Sequence, residues 1–124
     1  MKILIPVSLG ELYDKITILE IKLVHMDSPE KIANVTNEYK QLRKIAEKYP
    51  IEKDLYVSLK DINQKIWDIE DGIRGEERNK DWGEDFVQFA RSVYFSNDKR
   101  ANIKKEINTK YGSEIVEEKS YEKY

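Results

Sequence analysis

Apolar residues recur along this chain in steps of three and four, which keeps them on one face of an α-helix. The first stripe is Leu12, Ile16, Leu19, Leu23 and Met26. Ser8 and Glu11 precede it with the S-x-x-E spacing of a capping box, so the helix is expected to open at Ser8. Asp27 and Ser28 break it, and Ser28–Pro29 reads as an N-cap and first-turn pair. The second stripe is Ile32, Val35, Tyr39, Leu42, Ala46 and Tyr49, closed by Pro50. A third helix is predicted over 53–74 on Leu55, Leu59, Ile62, Ile66, Ile69 and Ile73, with Gly72 weakening its last turn and Gly75 capping it.

After a polar loop at 75–80, Asp81 and Glu84 form a second capping-box spacing ahead of Phe86, Ala90 and Val93. The run "FSND" is expected to end that short fourth helix. Asn97 would cap a fifth, carrying Ile103, Ile107 and Tyr111 and stopped by Gly112. Residues 2–7, "KILIPV", read as extended, with Pro6 confining any strand to an edge. Residues 113–124 form a polar tail in which Ile115 and Val116 would pair with that segment. The pattern predicts an all-α, antiparallel helical bundle of four to five helices with a short extended N-terminal segment, in one domain over 1–124. Ile18, Ile21 and Val24 lie off the first helix's main stripe, and a second apolar side expects a second neighbour. A homodimer is the expectation drawn from it.

Composition narrows the function classes. The chain has 124 residues, 40% hydrophobic and 37% charged, enough for a packed core without disulfides or metal staples. With 22 basic against 24 acidic residues the net charge is −2, which gives no general attraction to nucleic acid or to an anionic membrane. There is no cysteine, so thiolate chemistry and Cys-based metal sites are excluded, and a cytoplasmic location is the expectation. The N-terminal apolar run is too short for a signal peptide.

Three charged groups carry the candidate chemistry. In "GELYDKITILEIK", Glu11, Asp14 and Lys15 are threaded through an apolar helix. They are either a solvated ion-pair face or, between two packed surfaces, a partly buried polar site. In "WDIEDGIR", Trp67, Glu70 and Arg74 project with Asn63 beside the isoleucine stripe, as a packed aromatic beside an ion pair or as a polar pocket with an aromatic wall. In "ARSVYFSNDKRANIKKEIN", Arg91, Asn97 and Arg100 lead a basic, aromatic-interleaved stretch, and Asn97 at a helix N-terminus would favour an anion. Glu11 with Asp14, and Asp68 with Asp71, are paired carboxylates that could hold Mg²⁺ if they converged. This looks somewhat like the all-α nucleotide pyrophosphohydrolases, whose helices carry E-E-x-x-E and a later E-x-x-D. The chain has the second spacing and lacks the full first motif. Otherwise no cofactor is expected. His25, the one histidine, has no partner at ligand spacing.

The whole chain resembles a family of small bacterial and bacteriophage proteins known as a domain of unknown function. The resemblance rests on "GELYDKITILEIK", "WDIEDGIR", "ARSVYFSNDKRANIKKEIN" and "GSEIVEEKSY". It implies a complete protein and places the three charged groups inside the family's motif blocks, though it brings no activity with it. The function expected is binding of a small anion, a nucleotide or sugar phosphate, through Glu11, Asp14, Lys15, Trp67, Glu70, Arg74, Arg91, Asn97 and Arg100. Two alternatives stay open: a metal-dependent pyrophosphohydrolase-like enzyme using Glu11, Asp14, Asp68 and Asp71, and a structural or protein-interaction module. Whether the chain catalyses anything is not readable from these residues.

Overall fold

The computed structural model describes residues 1–124, and 71% of them are helical, with no strand. Four helices follow in order: α1 (Leu9–His25), α2 (Pro29–Ala46), α3 (Lys53–Arg78) and α4 (Glu84–Lys110). Side-chain contacts fix their directions. Tyr13 of α1 reaches the backbone oxygens of Ala46 and Tyr49 at the end of α2, while Glu20, further along α1, meets Tyr39, earlier in α2. Gly10 meets Asn108 and Asp14 meets Lys104, so α4 also runs against α1. Tyr13 packs on Tyr56 and His25 on Trp67, so α1 and α3 run together. α1 is the central helix, touching the other three.

The stripes behave as helical faces should. Leu12, Ile16 and Leu19 of α1 and Leu55, Leu59, Ile62 and Ile69 of α3 are buried, and Ile107 closes the core from α4. Ser8 accepts the Glu11 backbone N–H at 3.1 Å, which is one half of the expected capping box. The other half is absent because the Glu11 carboxylate is drawn to Lys104 instead. Ile21 is buried within the chain, Ile18 is half-buried and Val24 is 79% exposed. Most of the second apolar side of α1 is thus covered by the chain's own helices.

Four expectations are corrected. The fourth and fifth helices are one: α4 runs unbroken through Phe95–Asp98. No Gly or Pro interrupts it, Ser96 is 2% exposed, and Asn97 spends its side chain on Arg100 rather than on a cap. α3 passes through Gly75 to Arg78, because the reversal is made by Asn79 and by Lys80, whose φ is +52°. The Asp81–Glu84 capping box does not form: Gly83 is the N-cap, and Asp81 accepts the Gly83 N–H at 3.1 Å. Residues 1–7 form no strand and make no backbone hydrogen bond, so Ile115 and Val116 pair with nothing there.

One close approach sets the geometry of everything that follows. A Cβ on Gly10 would lie 2.6 Å from the Lys104 carbonyl oxygen, so only glycine lets α1 and α4 come this near. The Gly10 N–H donates to the Asn108 side-chain oxygen at 2.7 Å, in a buried position. No helix of the chain is long and apolar enough to cross a membrane.

Candidate functional site

The seam between α1, α3 and α4 is polar where a bundle core would ordinarily be apolar. Asp14 and Thr17 of α1, Asn63 of α3, and Ser96 and Asn108 of α4 are all buried. Asn63 is the hub. Its amide nitrogen donates to the Asp14 carboxylate and to the Thr17 hydroxyl, both at 2.9 Å. Its amide oxygen accepts from the Arg100 guanidinium at 3.2 Å. A second guanidinium nitrogen donates to the Asn97 side-chain oxygen at 2.9 Å. Thr17 also donates to the Asp14 backbone oxygen at 2.9 Å, back-bonding within α1. Such a network is costly if incomplete, and here each amide and carboxylate has a partner.

Lys104 lies one turn beyond Arg100 on the same strip of α4 and gathers carboxylates. Its ammonium is 2.7 Å from Glu11, 3.6 Å from Asp14 and 3.3 Å from Glu117 in the C-terminal tail. Burial works against the Lys104 charge. The hydrogen bond to Glu11 and the fields of Asp14, Glu11 and Glu117 outweigh it, so its pKa is raised above that of a free lysine and it stays cationic. The tail is held at its far end too: the Tyr124 hydroxyl bonds to Asp98, and its ring packs edge-on against Tyr94 and Phe95 at 5.2 and 4.9 Å. Between the tail and α4 lies a cleft of about 800 Å³ lined by Arg100, Lys104, Lys119, Lys123 and the rings of Tyr94, Tyr121 and Tyr124.

Arg100 differs from Lys104 in one respect. It is half-buried, its hydrogen bonds go to two neutral amide oxygens, and no carboxylate pairs with it. Five N–H donors project from a guanidinium, so the two bonds to Asn63 and Asn97 orient it without consuming it.

A second polar cluster joins α1, α2 and α3. Glu20 accepts hydrogen bonds from the hydroxyls of Tyr39, at 2.9 Å, and Tyr56, and lies 3.1 Å from the Lys60 ammonium. Burial pushes the Glu20 pKa up, but the bonds from Tyr56, Tyr39 and Lys60 more than offset that and leave it below the usual carboxylate value. Tyr56 is held far above the ordinary phenol value, by burial first and then by its bond to Glu20. This cluster locks helix α2 to the α1–α3 pair.

The structure brings Glu11, Asp14, Asn97 and Arg100 into one neighbourhood and leaves the remaining candidates elsewhere. Lys15 is on the rim, 4.0 Å from Glu11. Trp67 stacks on His25 at 4.8 Å, and its indole nitrogen is buried without a partner. Glu70 and Arg74 make no ion pair, and Arg74 is exposed. Arg91 is nine residues before Arg100 on the same straight helix, which puts it on the opposite face and about 13.5 Å away along the axis. Asp68 and Asp71 are exposed, and Asp68 accepts from Gln64 at 3.0 Å. No three acidic or histidine side chains anywhere in the chain converge closely enough to hold a metal ion. Sequence reasoning missed Thr17, Asn108 and Glu117 and undervalued Asn63 and Lys104. The spacing of Asn97, Arg100, Lys104 and Asn108, in steps of three, four and four, is a polar stripe readable without the fold.

Comparison with known proteins agrees with the resemblance seen in the motif blocks. No curated protein and no solved structure matches the chain. Residues 1–124 match throughout the profile described as Family of unknown function (DUF6165), and the chain belongs to that family.

Proposed function

We propose that this protein binds a small phosphorylated or carboxylated metabolite in the cleft between α4 and the C-terminal tail, with Arg100 as the anchor. The observation that carries the reading is the state of Arg100: half-buried, aimed by Asn63 and Asn97, and unpaired with any carboxylate. A cation taken partly out of water needs a counter-charge, and a planar guanidinium matches the oxygens of a phosphate or carboxylate in a two-point contact. Lys123 on the tail side of the cleft adds a further cation, whereas Lys119 is spent on Glu117 at 2.7 Å and the carboxylates of Asp98 and Glu122 also line the cleft. Asp14 acts through Asn63, holding the amide in the orientation that turns its oxygen to Arg100.

A thermal-shift screen of the intact protein against phosphorylated and carboxylated metabolites tests this. Mass action gives about 2.7 kcal/mol of stabilisation at a hundredfold excess over Kd, a shift of several degrees for a domain of this size. The shift is expected to vanish in Arg100→Gln and to weaken in Asn97→Ala. No shift with any anion would reject the reading and favour a role in protein contacts.

A further inference from the structure

The cleft has two chemically distinct parts. One is charged: Arg100 and Lys123 stand there without a carboxylate partner, beside the paired Lys104 and Lys119 and the carboxylates of Asp98 and Glu122. The other is aromatic, and its rings are not equivalent. Tyr124 is fixed: Tyr94 and Phe95 pack against it, and its hydroxyl is tied to Asp98. The Asp98 bond raises the Tyr124 pKa to about 12, so the phenol keeps the proton that it donates to Asp98 at ordinary pH. Tyr121, three residues earlier in the tail, lines the same cleft, stacks on no other ring and is 80% exposed. Tyrosine is favoured at recognition surfaces because its ring presents a large apolar face with few torsions to freeze. The free volume of about 800 Å³ also exceeds what a lone phosphate requires.

We propose that the ligand of this cleft is a nucleotide, its base stacked on Tyr121 against the wall made by Tyr94 and Tyr124 and its phosphate held by Arg100. The proposal rests on the anion-binding reading above and narrows it. A sugar phosphate would use the cations and leave the aromatic wall idle, whereas a nucleotide uses both parts. Base stacking on an aromatic side chain tolerates any base, since every base has a π-face. Selectivity among bases would come from Asn102, the neutral amide at the cleft that is not engaged by Arg100.

Isothermal titration of the intact protein with AMP, GMP, CMP and UMP, and in parallel with ribose 5-phosphate, tests it. At least one nucleotide is expected to bind on the order of tenfold or more tighter than ribose 5-phosphate. Tyr121→Ala should bring that nucleotide down to the ribose 5-phosphate level, Tyr121→Phe should keep the advantage, and Arg100→Gln should abolish binding of both. Tyr121 is on the exposed tail, so its replacement leaves the core intact. Equal binding of nucleotides and ribose 5-phosphate, or a nucleotide advantage that survives Tyr121→Ala, overturns the nucleotide proposal while the anion site stands. If neither class binds, the nucleotide proposal falls, and the anion reading falls with it only when the wider thermal-shift screen is also blank.

Discussion

Two residues show how single positions hold the polar seam together. Asn63 satisfies Asp14, Thr17 and Arg100 at once. Asn63→Leu strips a buried carboxylate of its amide donor, and leaving such a group unsatisfied costs about 1–3 kcal/mol. Urea denaturation should show that loss as a lowered midpoint with an unchanged slope. Gln64→Ala, next in the chain and removing only a solvent-exposed bond to Asp68, should stay within about 0.5 kcal/mol of the parent. Gly10 is the second case. In Gly10→Ala the new methyl meets backbone, not a flexible side chain, so α1 and α4 must separate and the Gly10–Asn108 bond lengthens. Overpacking of this kind costs about 1–3 kcal/mol, readable as a drop in Tm.

Between elements, the Glu20 cluster makes α2's attachment sensitive to pH at both extremes. The folded Glu20 pKa lies below its ordinary 4.5, so its contribution is whole above that value and is lost as pH falls through the depressed folded one. The folded Tyr56 pKa lies above its ordinary 10.0, so the folded state holds that proton more tightly, and stability declines as pH rises beyond 10.0. Stability measured from pH 3 to 11 should therefore fall on both flanks. Glu20→Gln should shrink the acid flank, to which Glu117 also contributes, and Tyr56→Phe the alkaline one, to which Tyr39 and Tyr13 also contribute. The continuity of α4 has its own check in hydrogen exchange. Amides from Tyr94 to Asp98 should be protected like those on either side, whereas a helix break at "FSND" would make them exchange fast.

At the scale of the molecule, the tail is a strap across α4 rather than a loose end. Glu117 on Lys104, Glu118 on Lys105 at 3.0 Å and Tyr124 on Asp98 hold it at three points. The Ser113 hydroxyl ties its start to α1 by accepting the Leu9 N–H at 3.1 Å. Each exposed pair alone contributes little. Together they restrain the segment that carries Lys119, Tyr121 and Lys123. Limited trypsin digestion should cut after Lys119 and Lys123 faster in a Glu117→Gln, Tyr124→Ala double variant than in the parent. A ligand seated in the cleft should slow the cut in both.

The sequence by itself determined the helices. Steps of three and four between apolar residues depend only on local geometry, so the α1, α2 and α3 stripes and their N-terminal starts were legible at once. The same local signals misled at "FSND", where Ser, Asn and Asp mimic a helix stop. Within the unbroken helix Asn97 accepts from Arg100 one turn further on, and only the packed structure supplies the buried neighbourhood that lets Ser96 sit mid-helix. Joining two expected helices into one then decided the site. It set Arg91 on the far face from Arg100 and aligned Asn97, Arg100, Lys104 and Asn108 along the seam with α1. Charge, spacing and composition named Glu11, Asp14, Asn97 and Arg100. Which charges are neutralised and which remains unpaired depends on contacts such as Lys104 with Glu117 and Arg100 with Asn63. Those residues are far apart in the chain, and no periodicity along one helix encodes the distance between them.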